Sequence, residues 1–114
     1  MKIFSGSLSA NVLVILAGVM TWLPVSAQPP GWNDPFPAHK VMDNLYYVGT
    51  SQLGSFLITT PEGHILVTSN YETSVPVIKA SVESLGFDFS DIKILISGHA
   101  HPDHIEGDAL VKQM

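Results

Sequence analysis

Ile92-Lys93-Ile94-Leu95-Ile96-Ser97-Gly98-His99-Ala100-His101-Pro102-Asp103-His104 is the stretch on which the reading of this chain turns. It runs from a nearly all-apolar segment straight into three imidazoles and a carboxylate. An apolar run of that length predicts a strand buried on both faces, and loops at the carboxyl ends of such strands gather the sites of layered α/β folds. In an extended segment residues i and i+2 point to the same side, so His99 and His101 are placed to grip one metal ion together. Pro102 turns the chain, and Asp103 and His104 then face a neighbouring position. Imidazole and carboxylate form a donor set that suits zinc. Asp103 has a second reading as a helix N-cap, with Glu106 three residues on as in a capping box. Ligation is the preferred role for Asp103 and capping for Glu106. The two remaining histidines, His39 and His64, stand alone in sequence and read as surface or satisfied core residues.

Upstream of this stretch, Val75, Ile78, Val82 and Leu85 mark one face of a helix. Thr73 or Ser74 can cap its start, Pro76 is tolerated in the first turn, and Gly86 stands where a left-handed terminator belongs. Before the helix, Ser55–Thr60 and His64–Ser69 read as two strands joined by the turn Pro61-Glu62-Gly63, an antiparallel hairpin. Asn44–Gly49 reads as a further strand. Residues 28–37 hold four prolines and a glycine. They predict an extended arm, neither helix nor central strand, with Trp32 and Phe36 lying on the body of the domain.

The composition removes several classes of function. The chain has 114 residues, room for one domain at most. It carries five lysines, no arginine and a formal charge of −5, which argues against a phosphate-backbone partner. With no cysteine, disulfide frameworks, thiol catalysis and thiolate metal sites are excluded. At the start, Lys2, the apolar run Asn11–Leu23, the breaker Pro24 and the small residues Val25-Ser26-Ala27 form the pattern of a secretory signal peptide, residues 1–27, cut after Ala27. A transmembrane anchor would need roughly 20 apolar residues, more than this run supplies. Removing residues 1–27 takes away one lysine and no acid, leaving 87 residues and a formal charge of −6. The expected product is periplasmic or secreted, with no stable membrane anchor after cleavage.

His99-Ala100-His101-Pro102-Asp103-His104 after a buried apolar strand resembles the metal-binding motif of the metallo-β-lactamase superfamily. The flanks narrow the resemblance. Trp32-Asn33-Asp34-Pro35-Phe36-Pro37, Asn44–Thr50, Leu57–Leu66, Ser74–Phe87 and Ser90–Leu95 together are similar to the third subclass of class B β-lactamases, from about Trp32 to Gly107. This resemblance implies an α/β (α+β four-layer) fold, the αββα metallo-β-lactamase sandwich, with residues 28–114 as its N-terminal part. It implies two Zn2+ ions in the complete domain, His99 and His101 on the first and Asp103 and His104 on the second. It also implies a metal-held hydroxide that opens the ring of a β-lactam, a small-molecule substrate, with Asp103 as the catalytic residue that orients the nucleophile.

The departures from the pattern carry information too. Each metal of the family takes a further histidine from downstream, and no histidine lies in Ile105–Met114. Ile105-Glu106-Gly107 replaces the usual small residues after His104, and Thr68-Ser69-Asn70 stands where relatives often have Asp or Asn and then glycine. Asn70 is expected to adopt the left-handed conformation that glycine would supply. The alternatives are another secreted hydrolase of the superfamily, such as a lactonase, or a non-catalytic metal-binding remnant. Taken alone, the chain is expected to bind zinc weakly, to be poorly soluble and to leave β-lactams intact.

Overall fold

Tyr46, Leu57, Leu66 and Leu95 stand side by side in one row across four strands, and that row is the floor of the core. The computed structural model describes residues 28–114; the expected signal peptide, residues 1–27, lies outside the described residues. The strands are β1 (His39–Met42), β2 (Leu45–Tyr47), β3 (Phe56–Ile58), β4 (His64–Val67) and β5 (Ile92–Ile96). They form one sheet in the order β1-β2-β3-β4-β5, antiparallel through β4, with β5 parallel to β4. The crossover between β4 and β5 is helix α1 (Val75–Ser84), as a parallel pair requires. Two short helices follow β5, α2 (Pro102–Ile105) and α3 (Asp108–Gln113).

The helix face read from the sequence is the face that is buried. Val75, Ile78 and Val82 are fully covered and pack with Leu57, Leu66, Phe89 and Val111. A ten-residue helix is marginal alone in water. Burying those three side chains contributes roughly 5–9 kcal/mol before entropic costs, so tertiary packing rather than propensity holds α1. Gly86 ends it with φ 88°, as expected. The cap does not match expectation. Ser74 occupies the cap position with helical backbone angles, its hydroxyl is buried without a partner, and a 3₁₀ turn over Glu72–Ser74 leads into the helix instead.

The arm lies on the body, fastened mostly through its backbone. Thr50 Oγ1 donates to Trp32 O (2.6 Å), Ser51 N to Asp34 O (2.9 Å) and Asn33 Nδ2 to Thr73 O (2.7 Å). Trp32 is half-buried, whereas Phe36 keeps one side in solvent and meets His39 and Tyr47 edge-on. The arm then feeds β1, a strand the sequence reading did not anticipate. β1 turns into β2 at Asp43-Asn44, and Asp43 takes φ 43°.

Strand β5 has the composition of a strand buried on both faces and is not so buried here. An uncovered face and an open edge are what the N-terminal part of the fold is expected to leave by itself. Among the described residues β5 is the outermost strand of the sheet on its side and is covered on one face only. Leu95 and Ile92 pack on the core, while Ile94 and Ile96 are 51% and 47% exposed. The alternation extends across the whole sheet. Leu45, Ile58, Ile65 and Ile94 form one row on the face away from α1, and Tyr47, Phe56, Val67 and Ile96 form the next. These eight side chains are half-buried or exposed, so the sheet is apolar on both faces and has helices on one.

Candidate metal centre

At the carboxyl end of β5 the chain leaves the sheet through Ser97-Gly98 and presents His99, Ala100 and His101 to solvent. His101, in extended conformation, precedes α2, whose first residue is Pro102 with its preset φ. His104 N and Ile105 N both donate to His101 O, at 2.9 and 3.2 Å. This single turn swings His104 round beside the His99 ring and sets Asp103 against His104. The ring centroids of His99 and His101 are 4.6 Å apart, and those of His99 and His104 are 3.9 Å apart.

The atoms that meet are donor atoms. His99 Nε2 lies 3.2 Å from His101 Nδ1, and His104 Nε2 lies 3.3 Å from Asp103 Oδ2. Two ligands of one tetrahedral zinc, each at 2.0–2.1 Å, are about 3.3 Å apart. The four residues therefore fit zinc as two half-sites, one of two nitrogens and one of nitrogen and oxygen. Among the described residues no three His, Cys, Asp or Glu side chains converge as a ligand set. Asp103 and His104 keep roughly a third of their side-chain surface.

The capping-box reading does not hold. No side chain caps α2, His101 rather than Asp103 precedes it, and Glu106 sits at its end. The Glu106 carboxylate accepts instead from Glu72 N (3.4 Å), at the 3₁₀ turn ahead of α1. His64 Nδ1 accepts from Thr60 N (3.3 Å) and its ring packs edge-on against Phe87, the satisfied reading expected of it. His39 is exposed, stacks on Tyr47, and has Nδ1 2.9 Å from Pro37 O.

What braces the donors comes mainly from residues that carried no signal in sequence. Asn70 adopts φ 60°, as expected, and Thr68 adopts φ 70°. The latter is costly for a β-branched residue. This kinked end of β4 runs under the metal loop. Asn70 O accepts from Gly107 N (2.9 Å). With the amide turned to satisfy both of its ends, Asn70 Nδ2 donates to Gly54 O (3.1 Å) and Asp103 O (3.3 Å). The Asp108 carboxylate accepts from Ser69 Oγ at 2.6 Å and from Ser97 Oγ at 3.1 and 3.2 Å. Ser69 and Asp108 are too far apart in sequence for periodicity or spacing to have linked them.

A mixed sheet with helices on one face, ending in paired imidazoles, resembles solved structures of metallo-β-lactamases. The chain is similar to the native FEZ-1 metallo-β-lactamase from Legionella gormanii, at 58% identity over 70% of this chain and 30% of that one, with a TM-score of 0.68. It is similar to the metallo-β-lactamase GOB-18 from Elizabethkingia meningoseptica, at 42% identity over 75% of this chain and 32% of that one, TM-score 0.73. A class B3 di-zinc metallo-β-lactamase from an Alaskan soil metagenome matches at 37% identity over 75% of this chain and 33% of that one, TM-score 0.72. No family model matches the chain. The described residues have the fold of the N-terminal part of a metallo-β-lactamase sandwich. The matched structures include class B3 enzymes, so the likeness is to the third subclass of class B metallo-β-lactamases. It spans about a third of the length of the structures it matches.

Proposed function

We propose that the chain is the N-terminal part of an exported zinc-dependent hydrolase that opens the ring of β-lactams. The observation that carries this reading is the pair of donor contacts on one loop, 3.2 Å for His99 and His101 and 3.3 Å for Asp103 and His104. His99 and His101 would hold one ion, and Asp103 and His104 the second. Held by these residues, zinc would supply a Lewis acid and would lower the pKa of water to about 7. The chain's own contribution is placement. Pro102 sets the turn that brings the two pairs together, the Asn70 amide holds the Asp103 backbone, and the Asp103 carboxylate is the group that would orient the nucleophile. Residues 1–27 would direct export to the periplasm or beyond and then be removed, and residues 28–114 would form the N-terminal part of the catalytic domain.

A chimera tests the reading. Residues 28–114 replace the matched residues of the Legionella gormanii enzyme, and turnover of nitrocefin, a carbapenem and an acyl-homoserine lactone is followed. The expected result is β-lactam hydrolysis that is lost with a chelator and with His101→Ala. A folded, zinc-loaded chimera that cleaves only the lactone, or neither substrate class, would overturn it. The 114-residue chain by itself supplies two protein ligands per ion where a catalytic zinc normally has three, and it is expected to leave nitrocefin intact.

A further inference from the structure

The metal loop is closed at its base by one side chain. We propose that Asp108 is a positioning residue that clasps the carboxyl ends of β4 and β5 and thereby holds the two donor pairs in register. The inference rests on reading His99, His101, Asp103 and His104 as ligands. Its geometry stands apart from that reading.

Ser97 is the first residue after β5 and Ser69 lies just past the end of β4, so the Asp108 carboxylate joins the ends of two adjacent parallel strands. Its Oδ1 accepts from Ser69 Oγ at 2.6 Å, and Ser97 Oγ lies 3.2 and 3.1 Å from Oδ1 and Oδ2. All four candidate ligands fall inside the loop that the contact between Ser97 and Asp108 closes. The neighbouring backbone follows the same line. Thr68 N donates to Ile96 O (2.7 Å), extending the β4–β5 pairing up to the clasp, and Gly107 N donates to Asn70 O (2.9 Å). Ser69 is fully buried, and besides the Asp108 carboxylate its hydroxyl reaches only His104 O, at 3.5 Å, among the described residues. A carboxylate suits the place because one group must accept from two hydroxyls arriving from different strands.

The test uses the whole chain and two readouts. The first needs no metal: the proton contacts between the His99 and His101 rings, and amide exchange at Gly107, both by NMR. The second is zinc affinity by calorimetric titration. Asp108→Ala is expected to abolish the ring–ring contact, expose the Gly107 amide to exchange and weaken zinc binding on the order of ten- to a hundredfold. Asp108→Asn, which keeps one acceptor oxygen, should recover part of both effects, and Ser97→Ala should fall between. Leu110→Ala, which loosens the packing of α3 without touching the carboxylate, serves as the control for a merely structural role. Unchanged ring contacts in Asp108→Ala, or their equal loss in Leu110→Ala, would overturn the proposal. If the wild-type chain binds no zinc, the metal reading falls while the NMR readout still decides the role of Asp108.

Discussion

A side-chain carbon placed on Gly107 would stand 2.6 Å from Val75 Cγ2 and 2.9 Å from Ser69 O. The glycine between α2 and α3 is therefore where the end of the His99–His104 segment and the core touch. Gly107→Ala must displace either the first residue of α1 or the backbone at the end of β4. Overpacking of this kind costs about 1–3 kcal/mol. Its urea midpoint is expected to fall, together with the order of the His99–His104 loop. An unchanged midpoint would mean that the two helices part more easily than their packing implies.

Zinc should bind the isolated chain weakly and only through the loop. Replacing His99 and His101 together by alanine leaves Asp103 and His104 as the remaining pair, and whatever affinity the chain shows is expected to drop sharply. A calorimetric titration that is unchanged in the double variant would place the ion elsewhere.

Alkaline pH acts through Tyr47. Burial pushes its phenol above the ordinary value of 10.0, and its hydroxyl donates to Thr50 O. The raised value means that folding favours the neutral phenol. The stability it contributes is complete below the unfolded-state value and is lost as pH rises through the folded one. Urea midpoints measured from about pH 9 to 11 should fall for the wild-type chain and fall less for Tyr47→Phe. Parallel curves would remove Tyr47 as the source.

The two faces of the sheet should answer differently to substitution. Leu66→Ala, at a position with no exposure, is expected to cost about 2–5 kcal/mol. Ile94→Thr with Ile96→Thr, on the open face, should barely move the midpoint and should raise the concentration at which the chain stays in solution. Equal destabilisation by both would show that the open face is covered.

The sequence told most where one local pattern sufficed. The spacing of Val75, Ile78 and Val82 gave α1 and its buried side, and the runs around Pro61-Glu62-Gly63 gave the β3–β4 hairpin to within two residues. The contacts of His99 with His101 and of Asp103 with His104 are local, because an extended segment and a proline turn leave few ways to arrange neighbours. What failed was set by contacts distant in sequence. His39–Met42 has no strand pattern of its own and is strand because it pairs with Leu45–Tyr47. Glu106 looked like a cap of its own helix and instead holds Glu72 N, since the turn at Gly107 carries it to the start of α1. Ile92–Ile96 has the composition of a strand covered on both faces, and composition does not say whether the second cover is among the residues present. Ser69, Ser97 and Asp108 are ordinary polar residues in any window of sequence, and only the parallel pairing of β4 and β5 brings them together.

That parallel pairing also sets an order of events. The first four strands join through short turns, whereas Leu66 meets Leu95 only after the intervening chain has folded back along α1. Longer closures lose more chain entropy before any contact compensates for it, so β5 docks after the hairpins. The donor pairs follow β5 directly, and the contacts that brace them from Ser69 and Asn70 at the end of β4 form only when it is in place. A bound ion is then expected to act after the rate-limiting crossing. Zinc is expected to slow unfolding while leaving the rate of refolding nearly unchanged. Stopped-flow traces with and without the metal would show on which limb its effect falls.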